Sequence, residues 1–179
     1  NMNAMAAGKI SYYLNLQGPS MVMDTACSSS LVAIHQGCQS ILNGDSEYSL
    51  CGAMRLVYEF ASVASVDNLG ITSSDGRTRT FDAESTGTGT GEGGGVVLLK
   101  KFEDAVRDGD HIHAVILATA INNDGARSNG ITAPSPVAQE EVLKKAWKTA
   151  GIDPRTITYI EAHGTGTKIG DPIEIQALS

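Results

Sequence analysis

Apolar residues recur along this chain with two different periods. Leu31, Ile34, Cys38, Ile41 and Leu42 fall at helical spacing, and Asn43-Gly44 follows as a stop. Val142, Leu143, Ala146 and Trp147 mark an amphipathic helix over 139–150 that ends at Gly151. Residues 3–14 are helix-compatible, a short helix is expected near 103–107, and Asp171-Pro172 opens another that carries Ile173, Ala177 and Leu178. Short, mainly apolar runs at 20–24, 48–54, 96–99, 114–120 and 157–162 predict buried strands. Between them, 67–95 is rich in Gly, Ser, Thr and Asp and predicts a long surface excursion; 122–136 predicts a second loop. Buried strands alternating with helices point to a layered α/β fold.

Composition narrows the function. In 179 residues, 13 Lys and Arg stand against 20 Asp and Glu, a net charge of -7, and the longest basic runs are pairs such as Lys100-Lys101. Phosphate backbones demand clustered cations, so no nucleic-acid partner is expected. The longest apolar stretch, near 114–121, is far short of the roughly 20 residues that span a bilayer, and no signal segment opens the chain, so no membrane partner and a cytoplasmic location are expected. Residue 1 is Asn, and the last helix meets no stop before Ser179; the sequence reads as an internal piece of a longer chain.

Cys27, Cys38 and Cys51 are odd in number and spaced unlike a disulfide framework or metal knuckles. Cys27 follows an expected strand and opens an expected helix. Unpaired N–H groups at a helix start favour negative charge on sulfur and can hold a developing oxyanion, so Cys27 suits a nucleophile; the competing reading is a small core side chain. Cys38 shares the azimuth of Leu31 and Ile34, and Cys51 lies inside an apolar run, so both are expected in the core.

Of the four histidines, His35 lies eight residues along the same helix as Cys27, about 12 Å away by axial rise, and is out of reach. His111 and His113, flanked by Asp108 and Asp110, are explained as well by a polar turn as by metal binding, and no metal site is expected. His163 stands at a strand exit, where α/β folds place their chemistry, although a satisfied structural histidine is the alternative. Gly89-Thr90-Gly91-Glu92-Gly93-Gly94 spells a dinucleotide fingerprint but precedes a strand and places Glu92 where a pyrophosphate would lie. Gly164-Thr165-Gly166-Thr167 lacks the Gly-Lys-Ser/Thr of a phosphate loop, and no GxSxG elbow occurs.

The residues around Cys27 and His163 resemble one family. Asp24-Thr25-Ala26-Cys27-Ser28-Ser29-Ser30-Leu31 is similar to the active-site segment of β-ketoacyl synthases, specifically ketosynthase domains of modular type I polyketide synthases. Glu161-Ala162-His163-Gly164-Thr165-Gly166-Thr167, followed by Gly170-Asp171-Pro172-Ile173-Glu174, resembles that family's first histidine motif. Ser74-Asp75-Gly76-Arg77, Phe81-Asp82-Ala83, Gly91-Glu92-Gly93 and Asn122-Asn123-Asp124-Gly125 fit between them in the family's order.

The resemblance implies a partial thiolase-like αβαβα fold over 1–179, with about 1–120 in the N-terminal half and about 121–179 opening the C-terminal half. It implies catalytic roles for Cys27 and His163, which would meet in one pocket. Cys27 would take an acyl chain from an acyl carrier protein's phosphopantetheine, and decarboxylative Claisen condensation with a malonyl-type extender would follow. Thr165 and Thr167 would hydrogen-bond the pantetheine arm, and Asp171 and Glu174 would support the site without touching substrate. No bound cofactor is implied. The implied partners are the carrier protein, an acyltransferase, other synthase domains and, in the full-length domain, a second copy of itself.

The family's second histidine and lysine, in a Lys-Ser-Asn-Ile-Gly-His-type motif, are expected beyond Ser179. The chain alone is therefore expected to be inactive and, with half-layers exposing apolar faces, poorly folded. A fatty-acid synthase condensing domain and a non-elongating acyl-transfer domain share these motifs. A cysteine hydrolase using Cys27 and His163 is a remoter alternative.

Overall fold

A computed structural model describes residues 4–57, 70–128, 130 and 133–179. It divides into two compact units, the first formed by 1–54 and 94–116, the second by 55–93 and 117–179.

In the first unit, α1 (Ala4–Leu14) is followed by an extended stretch, a 3-10 turn (Ala26–Ser28) and α2 (Ser29–Leu42). The helix stops where its sequence does: the Asn43 N–H bonds back to Gln39 and Ile41 carbonyls, and Gly44 adopts φ +80°, a conformation open to glycine. Strands β1 (Tyr48–Arg55) and β2 (Gly93–Lys100) form a two-stranded sheet. Gly52 lies against Gly95 and Val96 while Gly94 lies against Ala53 and Met54, which is an antiparallel register.

The helix meets the sheet at Gly37. A Cβ built there would stand 2.3 Å from Cys51 Sγ, 2.7 Å from Ser49 Oγ and 3.2 Å from Leu99 Cδ1, so only glycine lets the helix come this close. Cys51 is buried, as the sequence suggests, and its sulfur lies 3.5 Å from the Ala33 carbonyl oxygen. Cys38 is half-buried; burial first, and then the neighbouring Cys51, push its thiol pKa up. After β2, α3 (Phe102–Asp108) ends at Gly109 with φ +71°, and Lys100 bridges Asp108 at 2.6 Å and Asp110 at 2.5 Å.

The second unit is built on α4 (Pro136–Ala150) packed against α5 (Gly170–Leu178), with a 3-10 turn (Pro154–Thr156) between them. The fully buried Ser135 caps α4, accepting the Ala138 N–H at 3.3 Å. The 122–128 loop folds over this helix start: the Ser135 N–H donates to Asp124 Oδ2 at 2.8 Å, and Asn122 Nδ2 donates to the Ala138 carbonyl at 2.7 Å.

Three expectations need correction. The apolar runs at 20–24, 114–120 and 157–162 carry no strand, because a ladder needs a hydrogen-bonded neighbour and none pairs with them among the described residues. Nor is the 67–95 segment only a surface excursion. Its residues 67–69 lie outside the described residues, but Ser73, Ser85 and Gly87 are buried, and Thr72 forms a bridge with Thr88. β1 and β2 are less buried than their apolar runs suggest: Leu50, Met54, Val96 and Leu98 are all exposed, because one helix covers little of a two-stranded sheet.

Candidate active site

Cys27 sits in the first unit on the 3-10 turn that opens α2, and it is exposed. Before it, Ala26 holds φ +54°, a left-handed conformation that a side chain normally avoids. Among the described residues, the hydrogen bonds that hold this conformation come from its near neighbours. The Ala26 N–H donates to Asp24 Oδ1 at 3.1 Å, and Ser29 Oγ donates to the Ala26 carbonyl at 2.7 Å while accepting the Thr25 N–H at 2.9 Å. Ser28 Oγ closes the corner on Thr25, bonding its carbonyl and its hydroxyl at 2.9 Å each. Four hydroxyl and carboxylate side chains from 24–29 thus replace the strand-helix hydrogen bonds that a sharp corner forfeits. An exposed thiol here, at the start of a 14-residue helix, has the dipole and open approach that an acyl acceptor needs.

His163 lies in the second unit and is also exposed. The loop after it is clamped from α5. Glu174 accepts the His163 N–H at 2.6 Å and the Gly164 N–H at 2.9 Å. Asp171, only 6% exposed, accepts the Gly166 N–H at 2.9 Å and, from the far segment, the Phe81 N–H at 2.7 Å. Phe81 is itself left-handed, at φ +59°.

Thr165 and Thr167 are half-buried, with their hydroxyl oxygens 3.0 Å apart, and Thr167 Oγ1 also accepts the Gly170 N–H at 3.0 Å. Two hydroxyls own two protons. One is used between them, which leaves one O–H to donate outward, the requirement for holding an amide or ester carbonyl.

Cys27 and the His163, Thr165 and Thr167 group therefore stand each within its own unit. Elsewhere, Glu92 accepts the Val57 N–H at 2.5 Å, the work of a structural carboxylate. His111 and His113 stack edge to face with ring centroids 4.4 Å apart, and among the described residues no group of three or more His, Cys, Asp or Glu could hold a metal ion. Among the described residues, no helix is long and apolar enough to cross a membrane.

Comparison with known proteins decides the family. Residues 1–105 match the model of the β-ketoacyl synthase N-terminal domain, and 113–179 that of its C-terminal domain. The chain belongs to the β-ketoacyl synthase family. It is 49% identical over 179 residues to polyketide synthase PksN of Bacillus subtilis (strain 168), covering 99% of this chain and 3% of that one. It is 51% identical over 175 residues to polyketide synthase PksM of the same organism, covering 98% of this chain and 4% of that one. Among solved structures, the ketosynthase from module 6 of the bacillaene synthase of Bacillus subtilis 168 superposes with a TM-score of 0.97 at 45% identity, covering 100% of this chain and 32% of the other. The fold is accordingly part of the thiolase-like ketosynthase α/β fold, and the chain spans about a third of that solved domain.

What sequence reasoning missed in this ketosynthase segment is the set of groups beneath the histidine loop. Thr80 Oγ1 donates to the Gly164 carbonyl at 2.6 Å, Thr88 Oγ1 to the Thr165 carbonyl at 2.6 Å, and the buried Ser85 Oγ to the Gly166 carbonyl. The hydroxyl-rich composition of 78–90 was the available signal, and it points equally to any polar loop.

Proposed function

We propose that this chain contributes the nucleophile and the first histidine of a ketosynthase that elongates polyketide chains. The Cys27 thiolate attacks the carbonyl of an acyl thioester on a carrier protein's phosphopantetheine, forming a new C–S bond as the pantetheine thiol leaves and takes up a proton. A malonyl-type extender then loses CO2, and the electron pair of the broken C–C bond becomes an enolate. Its carbon attacks the acyl-Cys27 carbonyl, and Cys27 departs as thiolate, leaving a β-ketoacyl chain on the carrier.

His163 serves the second half of this sequence, its ring N–H stabilising the enolate oxygen. The outward hydroxyl proton of the Thr165–Thr167 pair holds the pantetheine arm. Among the described residues, the side chains of Asp171 and Glu174 accept hydrogen bonds from backbone amides, which is the arrangement of supports rather than of reacting groups.

The observation that carries the reading is the exposed Cys27 thiol on a locally braced corner at the start of α2, in a chain that matches the family's N-terminal and C-terminal domain models in turn. The polyketide synthase relatives favour chain elongation over a fatty-acid pathway. On this reading the complete domain works in the cytoplasm as a homodimer, alongside a carrier protein and an acyltransferase, with about 1–120 and 121–179 falling in its two halves.

Intact-mass spectrometry of the complete ketosynthase, incubated with an acyl-carrier substrate, tests the assignment. Cys27→Ala is expected to abolish acyl loading, while His163→Ala loads and fails to condense. An acylated Cys27→Ala protein would sink the nucleophile.

A further inference from the structure

The four residues Gly164 to Thr167 alternate glycine with threonine, and the structure gives that alternation two faces. The glycines lie on the 78–88 segment: a Cβ at Gly164 would meet Thr80 Cγ2 at 2.5 Å, and one at Gly166 would meet the Gly87 carbonyl oxygen at 3.0 Å and Ser85 Oγ at 3.1 Å. Both glycines have positive φ, +54° and +68°. The threonines form the other face, where their hydroxyls meet each other.

Three successive carbonyls, those of Gly164, Thr165 and Gly166, each accept a hydroxyl from this platform, from Thr80, Thr88 and Ser85 respectively. A peptide plane whose carbonyl is fixed cannot rotate without breaking that bond, so three fixed carbonyls set the pitch of the whole loop. The platform is itself rigidly built. A Cβ at Gly87 would stand 2.5 Å from the Ile71 carbonyl oxygen, and one at Gly89 2.2 Å from that of Gly76, while Gly89 N–H donates to Thr78 Oγ1 at 2.8 Å.

We propose that Thr80, Ser85 and Thr88 are positioning residues, whose hydroxyls fix where the Thr165 and Thr167 hydroxyls stand and thereby set how tightly the acyl-pantetheine arm is held. The proposal rests on the pantetheine role given above to Thr165 and Thr167. It places control of that grip in a segment separated by 77 to 84 residues from the loop it governs.

The test uses the complete ketosynthase carrying this chain, with an acyl-pantetheine thioester as probe. The Thr80→Val/Thr88→Val protein keeps side-chain shape and loses two hydroxyls; it is expected to raise KM for the probe about tenfold. It should also speed amide hydrogen exchange at 164–166, while the rate of Cys27 alkylation by iodoacetamide stays unchanged. Thr88→Ser, which keeps the hydroxyl, is expected to retain the parent KM where Thr88→Val does not. That single pair decides the matter if the double variant fails to fold.

Unchanged KM and exchange in the valine variants would overturn the proposal, as would equal losses in Thr88→Val and Thr88→Ser. Thr165→Val separates the two readings. If it leaves KM untouched while the platform variants still loosen 164–166, the pantetheine role falls and the proposal falls in its substrate part. If Thr165→Val raises KM and Thr88→Val does not, the platform falls and the pantetheine role stands.

Discussion

Ala26 and Phe81 are both left-handed residues without the excuse of being glycine, and in each an aspartate accepts the backbone N–H. At Ala26 the aspartate is Asp24, two residues away; at Phe81 it is Asp171, ninety residues away. The first corner, which presents Cys27, is braced by side chains within five residues of one another and is exposed from Asp24 to Ser28, with Ser29 half-buried. The second, beneath the loop that presents His163, is buried at Asp171 and Ser85 and exists only when distant segments have met. The corner at Cys27 is thus held by hydrogen bonds between near neighbours, and the loop at His163 by tertiary ones. A strained backbone at each is held by the same chemistry at very different loop-closure entropy.

Breaking the tertiary brace should give the largest effect on stability. Asp171→Ala leaves the Gly166 and Phe81 amides without their acceptor in a buried setting, and is expected to cost about 2–5 kcal/mol, read by urea unfolding of the complete domain. A loss under about 1 kcal/mol would show that water replaces the carboxylate. Gly164→Ala comes next, because it adds both a positive-φ penalty and a 2.5 Å clash with Thr80; about 1–3 kcal/mol is expected, with normal acyl loading of Cys27.

At the local corner, Ser29→Ala removes two hydrogen bonds in a solvated setting, and about 0.5–1 kcal/mol is expected, within reach of thermal melts. The rate of Cys27 alkylation should change in this variant and stay constant in Gly164→Ala, which separates the two corners directly. Cys38, half-buried and with its thiol pKa pushed up, should alkylate well after Cys27 in peptide mapping.

The smallest effect concerns pH. Hydrogen bonds from Arg79 first, then Ser73 and the Arg77 amide, hold the Asp75 carboxyl well below the usual carboxylate range. A folded-state pKa below the unfolded value of about 3.9 stabilises above that pH and loses its contribution as pH falls through the folded value. The parent domain should therefore lose slightly more melting temperature than Asp75→Asn between pH 5 and pH 3, and only slightly, because the pair is solvent-screened. Parallel melting curves would show that the ion pair contributes nothing.

The contrast between the corners also explains what could be read from the residues alone. The helix that became α2, with its stop at Asn43-Gly44, and the helix ending at Gly151 were legible because periodicity and capping are local. The position of Cys27 at the opening of α2 was legible for the same reason. The apolar runs at 20–24, 114–120 and 157–162 were misread as strands because hydrophobicity reports a tendency to be buried, whereas a strand also requires a neighbour's backbone. Hydroxyl-to-carbonyl bonds between Thr80 and Gly164, or Thr88 and Thr165, have no period and no characteristic spacing, so nothing in the residue order announces them.

Gly37 turns α2 into a lever. The contact with Cys51, Ser49 and Leu99 is its fulcrum, and the helix start beside Cys27 lies eight residues away, an arm of about 12 Å. A methyl group at the fulcrum would have to displace the Cys51, Ser49 and Leu99 side chains or tip the helix, and a tilt of about 5° over that arm carries its far end about 1 Å. On the proposed function, carbon–carbon bond formation would be sensitive to displacements of that size. The absence of one side chain thus lets α2 rest close on the sheet about two helical turns from its start.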